Sequence, residues 1–67
     1  MNWIEAWRQW NRKRATAIRA EQAQRLAEWE RDTEPGYPLP GWQRDARRMA
    51  LAIADLHDAL AGPEDRP

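Results

Sequence analysis

An all-α fold, arranged as an antiparallel helical hairpin, is what this sequence predicts. Three observations carry that expectation. Ala, Arg, Glu, Gln and Leu dominate the composition, and all are good helix formers. The β-branched residues that strands favour are confined to Ile4, Thr16, Ile18, Thr33 and Ile53. Finally, Pro and Gly are gathered into one internal stretch, "TEPGYPLPG" at 33–41, with helically spaced apolar residues on both sides of it.

The first helix should start at once. Asn2 is placed to cap it, and Glu5, three residues on, to complete a capping box. Nothing interrupts the pattern until Pro35, which disfavours helix at Glu34. The spacing therefore predicts a helix over about residues 3–32, roughly 45 Å long. Residues 33–41 form a stiff connector, because each proline fixes its own φ. Tyr37 is expected to fold onto Trp29 or Trp42 as a lid over the end of the bundle. Read instead as a proline-rich ligand, "YPLP" lacks the usual spacing. The second helix should begin near residue 42, with Pro40 tolerated at its start. Gly62 and Pro63 stop it after Ala61. The expected organisation is one domain over residues 1–62 and a disordered tail over 63–67.

Helix two carries Trp42, Ala46, Met49, Ile53, Leu56 and Leu60 at alternating spacings of four and three. This is a heptad seam, expected to pack on helix one, with Ala46, Ala50 and Ala54 beside it permitting close approach. On helix one the stripe runs through Trp3 or Ile4, Trp7, Asn11 or Trp10, Ala15, Ile18, Gln22, Leu26 and Trp29. Its polar members, Asn11 and Gln22, are the kind that set register or oligomeric state at a cost in stability. Laid back antiparallel, helix two places Trp42 near Trp29, Ile53 near Ile18 and Leu60 near Asn11. It then ends, so Trp3, Ile4, Trp7 and Trp10 should overhang. A break in helix one near residues 11–17 would instead give three helices and fold the tryptophans back.

Composition bounds the rest. A chain of 67 residues with no Cys and one His excludes disulfides, thiolate metal sites and a histidine cage, and no cofactor is expected. A core this small supplies only about 3–5 kcal/mol, so oligomerisation or a partner should complete the fold. Net charge is zero but unevenly spread: residues 1–20 carry a net +4 and residues 21–41 a net −3.

These features point to a non-enzymatic interaction, assembly or modulator protein, of the kind phage and plasmids carry. It would bind itself or a larger protein through Trp3, Ile4, Trp7 and Trp10, with Arg8 and Arg14 at the rim. Self-association would give an antiparallel four-helix bundle. The alternative is a dimeric nucleic-acid-binding regulator using Arg8, Arg12, Lys13, Arg14 and Arg19, since "RQWNRKR" interleaves aromatic and basic residues. The zero net charge weakens that alternative. A membrane is disfavoured: Glu5, Gln9 and Asn11 dilute the apolar arc, and no run nears the ~20 apolar residues of a span. The N-terminus lacks a secretory pattern, which makes the cytoplasm the expected compartment. Catalysis is not expected, because Ser and Cys are absent. His57 lies between Asp55 and Asp58 at positions that do not face it. It is read as structural, bordering the seam beside Ile53 and Leu60 or acting as a weak cation at the helix end. Asp55, Asp58, Glu64 and Asp65 have no calcium-loop spacing, and no small-molecule substrate is implied.

Overall fold

The computed structural model describes residues 2–63 and contains two helices, α1 over Trp3–Asp32 and α2 over Gly41–Ala61. They pack side by side in a rod of 51 × 20 × 18 Å. The hairpin and its boundaries follow the sequence reading. α1 is continuous through residues 11–17, so the three-helix alternative does not form. The expected tail lies outside the described residues apart from Pro63.

Local chemistry sets the ends. The Asn2 side chain accepts from the backbone N–H groups of Ile4 at 3.1 Å and Glu5 at 3.4 Å, satisfying two donors that the first turn leaves free. The Glu5 carboxylate turns toward Arg12, 3.9 Å away. Glu34 to Tyr37 form a turn with Pro35 second and Gly36 third, and Gly36 takes φ +96°, the left-handed value a type II turn requires there. The Pro40 carbonyl then accepts from Gln43 and Arg44, both at 3.0 Å, and opens α2.

At the other end, the Gly62 N–H donates to the carbonyls of Asp58 and Ala59 at φ +75°. Gly62→Ala forces a Cβ into that conformation and should destabilise the hairpin by about 1–2 kcal/mol. A lowered urea midpoint at unchanged slope would show it, and an unchanged midpoint would contradict the strain argument.

The expected register holds. Asn11 meets His57, Gln22 meets Arg47, and Arg12 reaches the end of α2. The face of α2 that packs on α1 differs from the expected one. It consists of Gln43, Arg47, Ala50, Ala54, His57 and Ala61, all buried or half-buried. Each lies one position beyond a member of the predicted seam, so α2 is rotated by about 100° from the expectation. Trp42, Met49, Ile53, Leu56 and Leu60 are left exposed.

The cause lies on α1. Its inner stripe buries Asn11 and Ala15, with Ile18, Gln22, Leu26 and Trp29 half-buried. A buried amide needs a partner, and an apolar seam offers none. The Asn11 NH2 donates to the Trp7 carbonyl at 3.0 Å, which turns its oxygen toward the His57 ring, where Nδ1 donates at 2.8 Å. Arg47 donates to the Gln22 carbonyl at 2.9 Å. Between these polar contacts Ala15 and Ala54 are fully buried, as is Ala61 beyond His57, and they let the backbones approach. His57 therefore points into the hairpin instead of bordering the apolar seam. Tyr37 is also not the expected lid: it stays 65% exposed and shares only a shallow hollow with Trp29.

Candidate interaction surface

The rod has two unlike flanks. Trp10 and Arg19 are nine residues apart, which at about 100° per residue turns them to opposite sides of α1. On one side Arg19 bridges Asp55 at 2.9 Å and Asp58 at 2.6 Å. Hydrogen bonding to Asp58, then to Asp55, raises its pKa above the ordinary value for arginine. Arg12 joins that flank and donates to the carbonyls of Ala61 at 3.4 Å and Pro63 at 3.5 Å, placing a cation at the negative end of α2.

On the other side, the Trp10 ring meets His57 edge-on, centroids 5.6 Å apart and planes at 78°. Trp3 and Trp7 lie within about 60° of Trp10 around the helix. On α2, Ile53, Leu56 and Leu60 each lie two positions from Asp55 or Asp58, about 200° around, and so join the Trp10 flank. Trp42 and Met49 continue their line. The result is one apolar face, from Trp3 at the free end of α1 to Trp42 beside the turn. Trp3 is 73%, Trp42 71% and Met49 66% exposed.

At the turn end this face opens into a groove of about 710 Å³. Leu26, Trp29, Leu39, Trp42 and Ala46 form its apolar lining, and Arg25, Glu28, Asp32 and Arg47 also line it. Glu28 stands eighteen residues, five helical turns, along the same line of α1 as Trp10.

The residues expected to bind a partner are thus placed as follows. Trp3, Ile4, Trp7 and Trp10 are exposed, beyond or beside the end of α2, and Arg14 follows Trp7 along the same line of α1. Arg8 lies on the charged flank with Arg12 and Arg19. The segment expected to contact nucleic acid is not gathered: Arg12 and Arg19 serve contacts within the hairpin, Lys13 points outward, and Arg14 sits with the tryptophans. Sequence reasoning missed that the α2 seam belongs to the exposed face. The available signal was the pair of polar residues in the α1 stripe, which only the adjacent Ala50–Ala54–His57 line could accommodate.

Among the described residues there is no cluster of ligands for a metal ion, and no helix is long and apolar enough to cross a membrane. Comparison with family models, curated proteins and solved structures gives no match.

Proposed function

We propose that this chain is a small, non-enzymatic assembly module of the cytoplasm that works by packing its tryptophan-bearing apolar face against another protein surface. One observation carries the reading: most of the large apolar side chains are turned outward, while the fully buried apolar residues of the helix contact are alanines. Trp3, Trp7, Trp10, Trp42, Met49 and Leu56 are each 44–73% exposed on one flank. A contiguous apolar patch of that kind marks an interaction site. The tryptophan end is part of this surface, and the α2 seam extends it.

The non-enzymatic reading is supported by how the one histidine is used. Its Nδ1 is committed to a side-chain amide, and the carboxylates of Asp55 and Asp58 face Arg19.

The test replaces Ile53 and Leu56 together by glutamate. Both are exposed and lie outside the buried row of α2, so helicity should be retained. Co-purification of the tagged chain with cellular partners or with untagged copies should be lost. The same charges at Arg44 and Arg48, on the opposite side of α2, should leave co-purification intact. Binding that survives the first pair, or that is lost only with the second, would overturn the proposal.

A further inference from the structure

We infer that the surface received by this face is the same face of a second copy, turned end for end. The tryptophan end of each copy then fills the turn-end groove of the other. The inference rests on the interaction reading above and names its partner.

Symmetry of the seam is the first argument. A homodimer with a two-fold axis needs a patch that complements itself. Met49, Ile53, Leu56 and Leu60 are mirrored about a point between Ala54 and Asp55: 49 answers 60, and 53 answers 56. An axis through that point, perpendicular to the helices, lays α2 on α2 antiparallel with large apolar side chains meeting large apolar side chains. A two-fold axis running along the helices would instead set each α2 seam against α1. There the face carries Arg14, Glu21, Arg25, Glu28 and Asp32 beyond the tryptophans, and the seam would bury charge against Leu and Ile.

Register supplies the second argument. Asn11 opposite His57 and Arg12 opposite Ala61 place the axis level with about residue 16 of α1. Reversal about that level brings Trp3 and Trp7 of one copy alongside the Leu26–Trp29 stretch of the second, where the groove lies. The groove itself is charge-balanced, with Glu28 and Asp32 set against Arg25 and Arg47 around its apolar lining. The aromatic rings of one copy therefore reach the apolar lining of the other in this orientation.

Size is the third. The exposed parts of the four tryptophans Trp3, Trp7, Trp10 and Trp42 and of the Met49–Leu60 seam supply the contact. That gives roughly 800 Å² per copy, the area of a standard stable interface.

Because the chain has no cysteine, single cysteines report the arrangement cleanly. Met49→Cys and Leu60→Cys should cross-link when mixed and oxidised, giving the mixed dimer, and should cross-link poorly when each is oxidised alone. Light scattering of the parent should give twice the 7.9 kDa chain mass. Trp3→Ala with Trp7→Ala should weaken the dimer tenfold or more without loss of helicity. A dimer in which each single-cysteine variant links to itself would overturn the end-for-end arrangement, and a dimer indifferent to Trp3 and Trp7 would overturn the groove contact. A parent that stays at 7.9 kDa at all concentrations would overturn the second copy as partner. That result would leave the interaction reading to its own test, because the Ile53 and Leu56 pair reports on any partner.

Discussion

Ala54→Leu is expected to unfold most of the isolated hairpin. Ala54 is fully buried where α2 meets α1, and Ala15 and Ala61 are buried with it. Three added carbons have nowhere to go except between the backbones. Overpacking of this kind costs about 1–3 kcal/mol. A rigid two-helix contact leaves little room for relief, so the upper end applies. Against a total of about 3–5 kcal/mol for a core this small, the loss is most of the stability. Urea denaturation followed by circular dichroism is the measurement. Ile53→Leu, one position earlier on the exposed face, is the control and should cost almost nothing. Equal behaviour of the two variants would mean that α2 packs through the seam the sequence suggested, and that the rotation described above is wrong.

The second large effect concerns Asn11, the largest fully buried side chain among the described residues. Asn11→Ala should cost about 2 kcal/mol, because it removes packing and strands the His57 Nδ1–H that the amide oxygen accepted. Asn11→Leu combined with His57→Leu should behave differently. With both polar partners gone nothing is left unsatisfied, and the stability should return to the parent's level or exceed it. The loss should then appear in register. With the polar pair gone, the axial position of α2 rests on the alanines, Leu26 and the longer, more adaptable contacts of Arg12, Arg19 and Arg47. Denaturation of the single and double variants closes the cycle. Additive losses in the double variant would mean that Asn11 and His57 act independently.

Much of this was legible in the residues. The helix ends followed from Asn2, Pro35 and Gly62-Pro63, because capping and proline geometry are local. The antiparallel register followed from the turn length and from where α2 stops. The rotation of α2 was not legible, because two parallel rows on that helix both have heptad spacing. Hydrophobicity favours Trp42–Leu60, whereas the need to satisfy Asn11 and to bring two backbones close favours Gln43–Ala61. Area burial ranks the first row higher only if nothing else can cover it. A surface to be covered from outside reverses the ranking, and a single chain read alone does not display that surface. The tryptophan overhang was visible for the opposite reason: it depends on helix lengths, not on which way a helix faces.

The Arg12 contact has a consequence for how the molecule opens. α2 carries no basic residue in its own last turn, and the cation at its end comes from the other helix, 49 positions earlier in the chain. The Gly62 N–H closes the last turn from within α2, but the guanidinium that offsets its carbonyls is lost when the helices part. Opening of the hairpin therefore loosens the last turn as well. Amide hydrogens there should exchange with solvent faster from the opened hairpin than from the closed one.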